Sequence, residues 1–210
     1  MPMADAAARQ SRSPHPAMLA VLRLLLLCLS CTATGAWATA PLLTPAQTKA
    51  LGESGARLID IREGPAYALQ HVPGAVSAPY PLWRAPGANA GLPPSQPALT
   101  ALVQELGLTP DTPAVIIYTG IDATDFGGAA RVYWTLKSLG VQQLSILNGG
   151  LTAWKAAGLP VASQASVASR SRWQPQFNPQ WMATRDQVRA SLDEPGVLRV
   201  DARPAPFYQG

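Results

Sequence analysis

The stretch VIIYTG (115–120) is an apolar run that ends in a threonine and a glycine, and IDATDFGGAARVYWTLKSLG follows it as a loop and an amphipathic helix. A buried strand that turns into a helix is where α/β enzymes place a nucleophile or an anion cradle, because backbone N–H groups and a helix N-terminus converge there. The residues that could act at this turn are Thr119, Gly120, Asp122, Asp125 and Arg131. The loop offers no thiol, and its two aspartates would repel an anion. Arg131 either helps to hold an anion at the loop or pairs with Asp122 or Asp125. Two further acid–base pairs recur with the same spacing, Asp60-x-Arg62 and Asp201-x-Arg203. They read as structural: the aspartate at a strand end caps nearby loop N–H groups and the arginine pairs locally. His71 has no second ligand or acid–base partner in view, which speaks against a general base. Gly149-Gly150 resembles the start of a phosphate turn, but no Gly-Lys-Ser/Thr follows. No HxxxH, HExxH or CxxC spacing occurs, and neither a metal nor a cofactor is expected.

Around these residues stand segments with distinct physical roles. From Met18 the sequence reads MLAVLRLLLLCLSCTATGAWATA, an arginine, a leucine-rich run and then small residues closing on Ala36-Trp37-Ala38. That is the order of a secretory signal, so residues 1–38 are expected to be removed after Ala38 and the chain exported, to the periplasm if the signal is bacterial. An uncleaved anchor is the alternative, although the apolar run is short for a span, and either Met1 or Met18 serves as the start. Both cysteines, Cys28 and Cys31, lie in this leader, so the processed chain would hold no disulfide, thiolate metal site or cysteine nucleophile. Loss of Arg9, Arg12, Arg23 and Asp5 with the leader lowers the net charge from +4 to +2. No basic stripe interleaved with aromatics remains, which speaks against a nucleic-acid partner. With 48% hydrophobic and 13% charged residues the chain can build a core.

The remaining pattern alternates strands and helices. Thr44-Pro45 is an N-cap followed by a proline suited to the first turn, predicting a helix that ends near Gly52 or Gly55. ARLIDIR (56–62) and HVPGAV (71–76) read as strands, and Tyr80 to Pro97 as a surface loop. PALTALVQELGL carries Leu99, Leu102, Val103 and Leu106 at helical spacing. PAVIIYT is the central strand, because a continuous apolar run implies cover on both faces. A helix closed by Gly140, the strand QLSILNGG and the helix LTAWKAAG complete the series. Tyr133, Trp134, Leu139 and Trp154 fit helix-on-sheet packing. The fold class is α/β, a central parallel sheet flanked by helices on both faces.

The chain also repeats itself. TPAQTKALGESGARLIDIREGPAY from Thr44 is matched by TRDQVRASLDEPGVLRVDARPAPFY from Thr184, so that Asp60, Arg62 and Tyr67 align with Asp201, Arg203 and Tyr208. A period this long implies a duplicated domain. The expected organisation is a module over 43–161, a polar linker over 162–180 and the opening of a second copy over 181–210, which is too short to bury a core of its own and suggests a truncated chain.

The pieces LIDIR, HVPGAV, VIIYTG with AARVYWTLKSLG, and LSILNGGLTAWKAAGLPV, in this order over one module, resemble the rhodanese family, sulfurtransferases that carry sulfur as a cysteine persulfide. The duplicated Asp-x-Arg start further resembles tandem members acting on thiosulfate or 3-mercaptopyruvate. The resemblance places the family's catalytic cysteine at Thr119, and in tandem members the first module commonly lacks it; it also makes His71 part of a family turn, a packing and hydrogen-bonding position. It implies that the catalytic cysteine belongs to a second module, that a small anionic sulfur donor binds the intact protein, and that a protein can act as acceptor. The competing expectation is a cysteine-free rhodanese module serving as a binding or scaffold domain.

Overall fold

The computed structural model describes residues 40–87 and 91–209; the leader expected at 1–38 lies outside them. Five short strands form one all-parallel sheet: β1 (Leu42–Leu43), β2 (Arg57–Asp60), β3 (Val76–Ser77), β4 (Ala114–Ile117) and β5 (Leu144–Leu147), in the spatial order β1-β5-β4-β2-β3. The fully apolar β4 is central, pairing Arg57 to Ala114 through Asp60 to Ile117 on one side and Ala114 to Leu144 on the other. Its side chains alternate between two cores, as a strand's period of two requires. Ala114 and Ile116 join Ile59 and Ile146 on one face. Val115 and Ile117 join Leu58 and Leu147 on the other.

Helices cover both faces. On the first lie α3 (Gln96–Glu105) and α4 (Ala123–Leu139), through Leu99, Val103, Val132 and Leu136. On the second lie α1 (Pro45–Glu53) and α5 (Gly150–Ala156), through Leu51, Leu151 and Trp154. The N-cap read at Thr44 is a full capping box: the Thr44 hydroxyl accepts from the Gln47 N–H, and the Gln47 side chain accepts from the Thr44 N–H.

Three local readings differ from the structure. Gly64–Leu69 is a helix, α2, and the strand expected over 71–76 shrinks to β3 at Val76–Ser77. His71 makes only an isolated antiparallel bridge to Ala162, because Pro73 and Gly74 put a turn where the ladder would run. Tyr80–Trp83, expected as surface loop, is a 3₁₀ turn that buries Trp83 completely and lets its indole donate to the Ala78 carbonyl at 3.0 Å. Trp134 packs on the segment after the module rather than on the sheet, donating to the Trp181 carbonyl at 2.9 Å and meeting Phe177 edge-on at 5.6 Å.

That segment, read from its polarity as a linker, runs as a strap along the module. Ala162 exchanges backbone hydrogen bonds with His71, Ser166 N–H donates to the Tyr67 hydroxyl, Phe177 N–H to the Gln96 side chain, and Asn178 N–H to the Ser138 carbonyl. Beyond it, α6 (Arg185–Ala190) starts with a capping box from Thr184 and Gln187 that repeats the Thr44–Gln47 box. α7 (Ala205–Gln209) stands after Asp201-x-Arg203 where α2 stands after Asp60-x-Arg62. Residues 198–201, aligned with β2, form no strand. Val200 is 77% exposed, whereas Ile59 at the equivalent position is 0% exposed. A strand conformation there has no neighbour to complete its ladder.

Candidate functional site

The loop after β4 sits at the carboxyl edge of the parallel strands, the edge at which open α/β sheets build their sites. Its shape is set by backbone contact with the turn after β5. Tyr118 and Thr119 carbonyls accept from Leu151 and Thr152 N–H at 2.9 and 3.0 Å, and the Thr152 hydroxyl also donates to the Thr119 carbonyl at 2.9 Å. Gly120, at φ +88°, lies so close that a Cβ would stand 1.9 Å from the Gly149 carbonyl oxygen. Gly150, at φ +58°, faces the loop in turn, where a Cβ would stand 2.5 Å from the Tyr118 carbonyl oxygen. The Gly149-Gly150 pair is therefore a packing device that brings two backbones together, which is what glycine uniquely permits.

Two of the loop's N–H groups are already occupied. One carboxylate oxygen of Asp125 accepts from Gly120 N–H at 2.7 Å and from Ile121 N–H at 3.1 Å. Asp122 is the N-cap of α4, accepting from Asp125 N–H at 2.8 Å. The helix thus starts at Ala123, six residues before the stretch expected from its apolar pattern, because these two acids supply its first acceptors. Asp125 sits where an incoming anion would have to sit. Beneath the loop, burial raises the Tyr118 phenol above its ordinary range; the Gly149 backbone opposes this and the Asp125 carboxylate adds to it. Sequence reading did not single out Tyr118, whose place in an apolar run gave it the look of a core residue.

Arg131 is not at the loop. It lies two turns into α4, where it donates to the Gly91 carbonyl at 2.8 Å and stacks 4.7 Å over Trp134, and it pairs with neither Asp122 nor Asp125. Burial lowers its pKa, Tyr80 opposes this and neighbouring Arg84 adds to it.

Asp60 and Arg62 share the loop's edge of the sheet and pair with each other. Asp60 is fully buried; its carboxylate accepts from Arg62 N–H at 3.0 Å and from the guanidinium at 2.6 to 3.2 Å. Arg62 in turn donates to the Gln70 carbonyl at 2.7 Å, satisfying the C-terminal end of α2. Asp201 and Arg203 reproduce this bond set at 2.6 to 3.0 Å in an exposed setting. There the hydrogen bonds from Arg203 hold the Asp201 carboxyl down at about 2. His71 is fully buried, stacked 3.9 Å from the Tyr67 ring, with its nitrogens at the Tyr67 and Gln164 carbonyls. It ties α2 to the strap.

Among the described residues there is no cysteine, no cluster of three or more metal-ligating side chains, and no helix long and apolar enough to cross a membrane. The Rhodanese-like domain matches residues 44–157, more than half of the chain. The protein belongs to the rhodanese family. It is 33% identical over 191 residues to a probable 3-mercaptopyruvate sulfurtransferase of Pseudomonas aeruginosa, covering 82% of this chain and 64% of that protein. Against a thiosulfate sulfurtransferase of Azotobacter vinelandii it is 31% identical over 155 residues, covering 73% of this chain and 55% of the relative. A solved 3-mercaptopyruvate sulfotransferase of Escherichia coli superposes with a TM-score of 0.69 at 22% identity, over 81% of this chain and 68% of that one. The chain thus spans less than two thirds of the length of either curated relative, and the rhodanese α/β fold is common to it and the Escherichia coli protein.

Proposed function

We propose that this chain is the non-catalytic first module, with the opening of a second, of an exported rhodanese-type sulfurtransferase that moves sulfane sulfur from thiosulfate or 3-mercaptopyruvate to a thiophilic acceptor. Thr119 stands where the persulfide cysteine would stand, so the reacting thiol comes from the second module. The observation that carries this reading is Asp125: its carboxylate takes the Gly120 and Ile121 N–H groups that an anionic persulfide or donor would need. The repeated capping boxes and Asp-x-Arg bond sets support a second module of the same kind. The first module then acts by packing, and the donor, a small anion, binds elsewhere in the intact protein. A cysteine-free scaffold role is the second reading, favoured by the same filled loop.

A thiosulfate:cyanide assay on residues 39–210 should give no turnover, and neither should a Thr119→Cys variant, whose thiol would meet N–H groups already taken. Clear turnover or a mass-detected persulfide on either protein would sink the proposal. Reading the open frame past the Gly210 codon separates the two readings: a following strand and cysteine loop fits the sulfurtransferase, a stop codon the scaffold.

A further inference from the structure

The strap creates a second feature at the opposite edge of the sheet from the loop. Residues 162–181 carry Arg170 and Arg172 and no acid. Gln104, near the end of α3, braces them: its side-chain oxygen accepts from Arg170 at 3.2 Å, its side-chain amide donates to the Trp173 carbonyl at 2.9 Å, and its own carbonyl accepts from Ser171 N–H at 2.9 Å. Gln104, Arg170, Ser171, Arg172 and Gln174 line an open cavity of about 430 Å³. The Ser171 side chain belongs to this lining, but its hydroxyl is turned in and buried, with no hydrogen-bond partner. Arg57, the first residue of β2, runs beneath the strap, its guanidinium 3.1 Å from the position a Cβ on Gly107 would take, beside Ala168 and Ser169. The Arg57 Nε is likewise buried and unpartnered, and burial lowers its pKa. Among the described residues Arg57, Arg170 and Arg172 form no ion pair, and neighbouring Glu105 makes none with them. Arg170 and Arg172 are exposed with no carboxylate partner, and two polar atoms beneath and within the strap, Arg57 Nε and the Ser171 hydroxyl, lack partners, which points to a missing counter-ion on this face.

We infer that this cavity is a binding site for a tetrahedral oxyanion, the dianion of phosphate or thiosulfate or the phosphoryl head of a small monoester. The chemistry is one-sided. Its lining is two arginines, a serine and two glutamines, with no acidic residue. Arginine forks match the paired oxygens of such ions, and Arg57 adds positive potential from below. The register of β2 with β4 pairs Arg57 with Ala114, the first residue of β4, whereas Thr119 lies two residues past the last, Ile117. Occupation of the cavity therefore leaves the loop's own hydrogen bonds untouched, and the site stands whether or not the protein takes part in sulfur transfer.

The test is a nitrogen–proton correlation NMR titration of the full chain with inorganic phosphate, thiosulfate and glycerol 2-phosphate, at ionic strength held constant with sodium chloride. Saturable shifts are expected at the Gln104 and Gln174 side-chain amides, the Ser171 amide and the Trp173 indole, with Gly120 and Ile121 unmoved. Arg172 makes no hydrogen bond that the fold depends on, so Arg172→Gln should keep the spectrum dispersed while weakening binding about fivefold or more; Arg170→Gln/Arg172→Gln should weaken it about tenfold or more. Tighter binding of glycerol 2-phosphate assigns the site to monoesters, and equal binding assigns it to the free ion. Shifts that do not saturate, shifts confined to Gly120 and Ile121, or equal binding by the folded Arg172→Gln variant would each overturn the assignment.

Discussion

Replacing Asp125 by alanine tests whether its carboxylate is the keystone of the loop. The side chain accepts two backbone N–H groups, at 2.7 and 3.1 Å, from within the first turn of α4. A hydrogen bond to a charged group is worth about 1.5–3 kcal/mol when its loss leaves a buried donor unmet. Only the Gly120 N–H is sheltered, whereas Ile121 is exposed and water can replace its acceptor. The second bond therefore adds little, and the carboxylate's interaction with the positive end of the helix adds about 0.3–1 kcal/mol. The expected loss is about 2–3 kcal/mol, or a fall in melting temperature of roughly 4–10 °C for a domain of this size. Asp125→Asn keeps one acceptor oxygen and should lose about half as much. Urea denaturation of both variants against the parent, with amide exchange of Gly120 and Ile121, reads the effect. A destabilisation below about 0.5 kcal/mol by Asp125→Ala, with exchange at Gly120 unchanged, would refute the claim that the carboxylate holds the loop.

Three more outcomes follow from the same geometry. Arg62→Ala leaves the fully buried Asp60 carboxylate unpaired and should cost about 3–5 kcal/mol, while Arg203→Ala, in the exposed copy, should leave the melting temperature unchanged; equal effects would contradict the role given to burial. Gly120→Ala should destabilise by about 3 kcal/mol or more, because its Cβ would meet the Gly149 carbonyl and its φ is positive; a folded variant of parental stability would show that the two loops are not held together. The Asp201 carboxyl, followed by carbon NMR, should titrate at about 2 rather than 3.8. Its pKa is lowered in the folded form, so the Asp201–Arg203 turn is strengthened above pH 4 and loses that support as pH falls through about 2. Arg203→Gln should return the midpoint toward 3.8, and an unshifted midpoint in the parent would dispose of the pairing.

Much of the module could be read residue by residue. The unbroken apolar run of β4 announced a strand covered on both faces, and Thr44-Pro45 announced a capped helix, because both signals are local. The family emerged from four short motifs in order, none specific alone. The site was half legible. Asp122 and Asp125 could be seen as acids in the loop, and were expected to repel an anion. Sequence could not show that one caps the helix while the other fills the loop's own N–H groups, since both bonds depend on where α4 begins. Arg131 was misplaced for the same reason: with α4 starting at Ala123 it falls two turns away, against Gly91. Tyr118 carried no signal that would set it apart from its apolar neighbours.

What the sequence by itself determined is whatever depends on near neighbours: period-two and helical apolar spacing, caps at Thr44 and Thr184, the internal repeat, and the absence of cysteine after residue 31. The tertiary structure decided how segments far apart in the chain meet. A polar, acid-free stretch looked like a linker because it holds no continuous apolar run. It becomes a strap because the acceptors and donors of Tyr67, His71, Gln96, Gln104 and Ser138 lie along its path. The same Asp-x-Arg signal is a buried ion pair in one copy and a solvated turn in the other, because only the first has neighbouring strands to exclude water.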